Sequence, residues 1–185
     1  MDKVYKKEIQ LTKHFNTSEF ACPCCGVIKL DTSLVSILEK LFSKMNAYKI
    51  IITSGYRCNK YEMSLKGGVK NGYHTKGMAV DINVWKNDKE RFSSKDICLA
   101  LEDLGWNKGI GIISATAVHI DSRASKYWFD ERKGNLSIGN SFYVYFGVKT
   151  LREQVKDKYN FSEETMQYLD KYKYSKDLYQ KLIDN

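Results

Sequence analysis

His74, Asp81 and His119 are the residues of this chain whose types and spacing best suit chemistry. They lie in Gly72-Tyr73-His74-Thr75-Lys76-Gly77-Met78-Ala79-Val80-Asp81-Ile82 and in Val118-His119-Ile120-Asp121. The chain has 3 histidines, and two of them fall in these stretches. Two imidazoles and a carboxylate make a three-ligand zinc set, which keeps the fourth tetrahedral position for water. That is the arrangement of a hydrolytic centre rather than of a closed structural one. Taken singly, each residue also fits a plainer account: a satisfied core histidine, a surface histidine, a solvated aspartate.

For the three side chains to meet, local structure has to aim them. His74 precedes a turn at Gly77, and residues 79–84 alternate small or apolar residues with polar ones. This alternation predicts a half-buried strand with Asp81 on its functional face. Residues 110–120 are largely apolar and run into the alternating Ala117-Val118-His119-Ile120-Asp121. His119 and Asp121 then point to one face of a second strand. Two neighbouring strands bring the three side chains to one point.

Upstream, Ile50-Ile51-Ile52-Thr53-Ser54-Gly55-Tyr56-Arg57-Cys58-Asn59 reads as a β-branched strand running into a turn with an arginine. In order, Ser54-Gly55-Tyr56-Arg57, Gly67-Gly68-Val69, His74 to Asp81 and His119-Ile120-Asp121 resemble the M15 family of zinc peptidases. The nearest likeness is to its D-alanyl-D-alanine carboxypeptidases and related peptidoglycan peptidases. Phe15-Asn16-Thr17-Ser18-Glu19-Phe20-Ala21-Cys22 is similar to the opening of that branch, so the resemblance covers roughly residues 8–130.

The resemblance implies one catalytic zinc ion on His74, Asp81 and His119. It also implies that Arg57 faces the substrate's carbonyl or carboxylate and stabilises charge developing in the transition state. A guanidinium, always charged and able to donate two parallel hydrogen bonds, suits that role. In such hydrolysis a nearby carboxylate takes a proton and passes it to the leaving amine. Many relatives carry a glutamate three residues before the last histidine ligand, but Thr116 stands there. Asp121 is the nearest carboxylate in sequence and matches a His-x-Asp pattern. It is assigned as base or as the group that orients His119, with a pairing to Arg123 as the plainer account. Relatives often have Ser-x-His at the first ligand, where this chain has Gly72 and Tyr73. Tyr73 is assigned a hydroxyl near the substrate, against the plainer account of a half-buried tyrosine.

The function implied is a zinc metallopeptidase hydrolysing peptide bonds of bacterial peptidoglycan. It would act as a D-Ala-D-Ala carboxypeptidase or as an endopeptidase of the stem or cross-bridge. The other class is a non-catalytic, zinc-containing binding or phage-particle assembly module. Hedgehog-type signalling domains show that this fold carries metal sites used for interaction, and fold alone does not settle function. Thr116 favours the second class. Intact His74, Asp81, His119 and Arg57 favour the first.

Composition agrees with a globular enzyme. The 185 residues are 43% hydrophobic and 28% charged, enough for one good core with a small appendage. No apolar stretch is long enough to span a bilayer. The segment Met1-Asp2-Lys3-Val4-Tyr5-Lys6-Lys7 lacks the apolar core of a signal peptide. A wall-degrading enzyme of this kind is expected in the host cytoplasm as a phage endolysin, released to the wall through a membrane pore, or in the phage particle. The net charge of +8 suggests nucleic acid first, but no recognised binding motif accompanies it, so no such partner is expected. A basic surface also suits the anionic polymers of a Gram-positive wall. A solvated lysine-rich surface is the alternative.

The 5 cysteines include the cluster Cys22-Pro23-Cys24-Cys25-Gly26, with Cys58 and Cys98 elsewhere. An odd count argues against a disulfide framework. A second metal site using the cluster with His14 or Cys58 is one reading. A zinc ribbon is not, because a second spaced pair is absent.

The expected architecture is α+β, a small antiparallel sheet packed on helices, with a short helical C-terminal extension. Helical spacing over 31–45 starts at a cap on Asp31 or Thr32. A strand at 49–53 and a loop over 56–73 follow, with a tight turn at Gly67-Gly68. Ser93 or Ser94 caps a helix through Leu104, ended by Gly105, before strands at 109–113 and 117–121. Trp106 and Trp128 read as core or rim. Residues 131–140 read as a linker or loop and 141–146 as a final strand. Beyond 150, Ser162-Glu163-Glu164-Thr165 starts a capped helix and 175–183 forms another. The expected division is a peptidase domain over 1–149 and a helical extension over 150–185. That extension serves docking, self-association or wall binding, or is simply a helical cap.

Overall fold

The computed structural model describes residues 2–5 and 8–184. In chain order its elements are β1 (Asp2–Tyr5), β2 (Ile28–Asp31), α1 (Thr32–Lys44), β3 (Lys49–Ser54), α2 (Asn59–Glu62), α3 (Tyr73–Lys76), β4 (Ala79–Trp85) and α4 (Ser94–Asp103). Then come β5 (Gly109–Ile112), β6 (Ala117–Asp121), β7 (Tyr127–Asp130), β8 (Leu136–Ser137), α5 (Phe142–Phe146), α6 (Leu151–Tyr159), α7 (Glu163–Asp170) and α8 (Ser175–Asp184). The chain divides into two compact units, one ending at Phe142 and the other beginning at Tyr143.

Alternation builds the sheet of the first unit. Val80, Ile82 and Val84 of β4, Ile110 and Ile112 of β5, and Val118 and Ile120 of β6 are fully buried. Their neighbours in sequence point to the opposite face, as a period of two requires. Each aliphatic side chain so buried stabilises the fold by about 1.5–3 kcal/mol. Among the described residues six strands form this sheet, in the order β3-β4-β6-β5-β7-β8. All pairs are antiparallel except β5 with β7. β1 and β2 form a separate antiparallel pair. The architecture is the α+β class expected from sequence.

Two helices cover the apolar face: α1 packs on β3 and β4, and α4 on β5 and β6. The stripe Leu34, Ile37, Leu38 and Leu41 of α1 is buried, as are Ile97 and Leu101 of α4. Both helices start where capping residues stand. The Asp31 carboxylate accepts from the Ser33 amide, and Ser93 exchanges reciprocal bonds with Asp96.

The chain after β6 departs from expectation. Residues 131–140, expected as a linker or loop, hold a 3₁₀ turn at Glu131–Lys133 and the two-residue strand β8 paired to β7. Residues 141–146, expected as a strand, form the helix α5 instead. Aromatic and β-branched residues favour strands only where packing supports them. Here β8 already pairs with β7, Phe142 is buried and stacks on Trp128 at 4.6 Å, and Val144 is 81% exposed.

The second unit has a core of its own. Val155 of α6, Met166 of α7 and Tyr179 of α8 are buried together, with Leu151, Phe161, Leu169, Leu182 and Ile183 packed around them. The Tyr179 hydroxyl donates to Asp170, and Arg152 pairs with Glu163 and Asp170. The aromatic and aliphatic residues of this segment thus fill a small helical core, while Tyr168, Tyr172 and Tyr174 remain exposed.

Candidate metal centre

The polar face of the sheet carries two of the three residues singled out in the sequence, and the third reaches it from α3. Asp81 of β4 and His119 of β6 are direct partners in the antiparallel register. His74 arrives from α3, a single turn closed by Gly77 at φ 75. That left-handed residue lets the chain reverse into β4, and a Cβ there would lie 2.6 Å from Lys29 backbone.

Three donor atoms converge. Asp81 Oδ1 lies 2.9 Å from His119 Nδ1 and 3.3 Å from His74 Nε2, and the two nitrogens are 3.3 Å apart. Zinc bonds of about 2.0–2.1 Å at tetrahedral angles place donor atoms roughly 3.3 Å apart, so this triangle fits the ion closely. All three side chains are at least mostly buried.

Each ligand atom is freed by a bond on the far side of its residue. His74 Nδ1 is 2.8 Å from the Gly55 carbonyl, which only accepts, so the ring proton sits on Nδ1 and Nε2 keeps its lone pair. His119 Nε2 is 3.1 Å from Asp121 Oδ2, which fixes a ring proton on Nε2 and leaves Nδ1 as the atom that faces the shared point. Arg57 NH2 donates to Asp81 Oδ2 at 2.6 Å, leaving Oδ1 for the shared point. Partners of this kind orient metal ligands and raise their basicity.

The electrostatics follow from these bonds. Burial opposes the charged form of His119, but its bonds to Asp121 and Asp81 outweigh this and raise its pKa to about 9. Burial also opposes the Asp81 charge, yet His119 and His74 hold its carboxyl well below the usual range. Asp121 is fully buried, and His119 and Arg123 lower its pKa to about 2 against that burial.

Asp121 is thus an interior carboxylate bonded to the far side of His119. Arg123 donates to both of its oxygens, and the Arg123 guanidinium lies over the rings of Tyr73 at 4.4 Å and Tyr127 at 4.7 Å. Tyr73, expected near the substrate, packs against Arg123 and does not line the cavity over the donor atoms. Gly109, the register partner of Asp121, makes room for that carboxylate, since a Cβ at Gly109 would stand 2.2 Å from it.

A cavity of about 410 Å³ opens over the triangle. His74, Asp81 and His119 form its floor with Arg57, and Glu62, Glu131 and the 65–68 loop help to line it. Arg57 also bonds Ser54 Oγ through Nε at 2.6 Å and Glu62 through NH1 at 3.2 Å. The other Glu62 oxygen accepts from the Val69 amide at 3.2 Å. Sequence reasoning missed Glu62 and Glu131. Glu62 ends the short α2 that follows Arg57, where no motif marked it, and Glu131 reaches the cavity only through the β7–β8 connection.

A family model described as Peptidase M15 matches residues 10–121. No curated protein and no solved structure matches the chain. The match covers more than half of the 185 residues, and the chain belongs to the M15 peptidase family, a family of zinc-dependent metallopeptidases.

Proposed function

We propose that this M15 peptidase binds one catalytic zinc ion through His74 Nε2, Asp81 Oδ1 and His119 Nδ1, and hydrolyses peptide bonds of bacterial peptidoglycan. The observation that carries the reading is the donor triangle of 2.9, 3.3 and 3.3 Å at the floor of an open cavity. Bound zinc supplies Lewis-acid polarisation and lowers the pKa of water toward neutrality.

The protein's own groups divide the remaining work. Asp121 and the Gly55 carbonyl hold the two imidazoles in the ligating tautomers. Arg57 uses three of its five N–H groups on Ser54, Glu62 and Asp81, which leaves two for a substrate carbonyl or carboxylate. Asp121, assigned from sequence as base or orienter, takes the orienting role because it is buried behind His119. Of the cavity carboxylates, Asp81 is a ligand and Glu62 is committed to Arg57 and Val69. Glu131 is exposed at the cavity and takes the proton-transfer role that Thr116 cannot fill. The substrate class rests on the sequence motifs, and the +8 charge suits an anionic wall. An endolysin role follows from that substrate, with the helices beyond residue 150 as a docking, self-association or wall-binding extension.

The test is digestion of purified peptidoglycan by the zinc-loaded protein, read by mass spectrometry of released fragments. The expected result is fragments that vanish with chelator, whose masses name the bond cut. Glu131→Gln should retain zinc and lose about 10²–10⁴ in rate, the usual share of general acid–base catalysis. Zinc at full occupancy with no fragments from any wall type would favour a binding or assembly module. Unchanged kinetics in Glu131→Gln would remove that residue from the mechanism.

A further inference from the structure

A second cluster of metal-ligating side chains lies outside the cavity. The Sγ atoms of Cys22, Cys25 and Cys58 all lie within 4.8 Å of one another. Zinc–sulfur bonds of about 2.3 Å at tetrahedral angles place sulfurs roughly 3.8 Å apart, so the three need only small rotamer shifts to share an ion. The segment Cys22-Pro23-Cys24-Cys25-Gly26 folds as a tight knuckle. The Gly26 amide donates to the Cys22 carbonyl at 2.8 Å, and Gly26 takes φ 67. That turn brings Cys25 back beside Cys22. Cys58 comes from a distant segment, the loop after β3, and its backbone N–H donates to Cys22 Sγ at 3.2 Å. Amide donation to sulfur offsets thiolate charge. The Cys58 thiol lies beside those of Cys22, Cys24 and Cys25. Cys24 is exposed at the edge of the cluster.

We propose that Cys22, Cys25 and Cys58 bind a structural zinc ion, with Cys24 as the fourth thiolate, separate from the catalytic centre. Each thiol loses its proton to solvent as the ion binds, so uptake strengthens as pH rises. The sequence offered the cluster with His14 or Cys58 as one reading; Cys58 is the residue brought to it, while His14 pairs with Glu39 at 2.7 Å. The position of the site gives it a purpose. Cys58 directly follows Arg57, and the Tyr56 amide already donates to the Phe20 carbonyl at 2.9 Å. An ion here fastens the N-terminal knuckle to the loop that carries Arg57, and so holds the guanidinium against Asp81.

The test is metal content and cobalt absorption of the full chain purified under reducing conditions. Wild type should hold two zinc ions per chain. Cobalt exchange should give thiolate-to-metal charge-transfer absorption, which a His-Asp-His site cannot produce. Cys58→Ser should lower the count by one and abolish that absorption, and His74→Ala should lower the count by one and keep it. If Cys58→Ser fails to fold, thiol titration of wild type replaces it: these cysteines should react with a disulfide reagent only after chelation. A cobalt protein without charge transfer, thiols equally reactive with and without chelator, or a disulfide between Cys22 and Cys58 would overturn the proposal. One zinc per chain with charge transfer would uphold this site and count against the catalytic one.

Discussion

At the residue scale, the proposed centre rests on groups packed behind the converging donor atoms. An imidazole has two nitrogens, and only a partner on one decides that the other is a lone pair. His119 gets that instruction from Asp121, and Asp121 is fixed in turn by Arg123 between Tyr73 and Tyr127. Asp121→Ala should therefore lower zinc affinity at this centre by about 10–100-fold, the usual cost of losing such a partner. Competitive titration against a chromophoric chelator reads this directly, and wild-type affinity would show that Asp121 does not orient the ligand. Both His119 and Asp121 were legible in the sequence because residues two apart on a strand share a face. The packing of Tyr73 was not, since nothing in sequence tells that Arg123 lies over its ring.

At the element scale, the site is legible where periodicity reports it and obscure where loops build it. The alternation at 79–84 and 117–121 gave β4 and β6, and their register sets Asp81 opposite His119. The cavity walls come from the 65–68 loop and the turn at Glu131, where no periodicity exists to be read. The expected strand at 141–146 shows the opposite failure: aromatic propensity pointed to a strand, and packing of Phe142 on Trp128 decided for a helix. β5 supports the site through what it omits. Its Gly109 faces Asp121, and Gly111 faces His119 in register while giving its space to the Phe129 ring. Gly109→Ala would thrust a methyl group into the Asp121 carboxylate at 2.2 Å. Zinc affinity should fall by a factor similar to that of Asp121→Ala, about 10–100-fold, while the fold persists in circular dichroism. Unaltered affinity would show that the carboxylate has room to move.

At the scale of the whole molecule, protons link metal binding and stability. In the metal-free protein His119 is held charged, with its pKa raised from 6.5 to about 9. A raised histidine contributes stability that is fully present below 6.5 and is lost as pH rises through about 9. Zinc at Nδ1 must displace that proton, so affinity rises over the same interval. Between these values the Tm of the metal-free protein should fall while the increment from zinc grows. His119→Ala, which lacks this proton, should show neither trend at this centre. A zinc increment independent of pH in the wild type would mean that His119 is already neutral. Among the described residues no helix is long and apolar enough to cross a membrane.

The central claim is that His74, Asp81 and His119 hold the ion that cuts wall peptides. Its most direct test is release of new amine from purified peptidoglycan, followed through removal and return of zinc, for wild type and for His74→Ala side by side. The account predicts that amine release by wild type stops on chelation and returns with stoichiometric zinc, and that His74→Ala releases none at any zinc concentration. Wild-type rates in His74→Ala, or release that persists in the chelated protein, would contradict it.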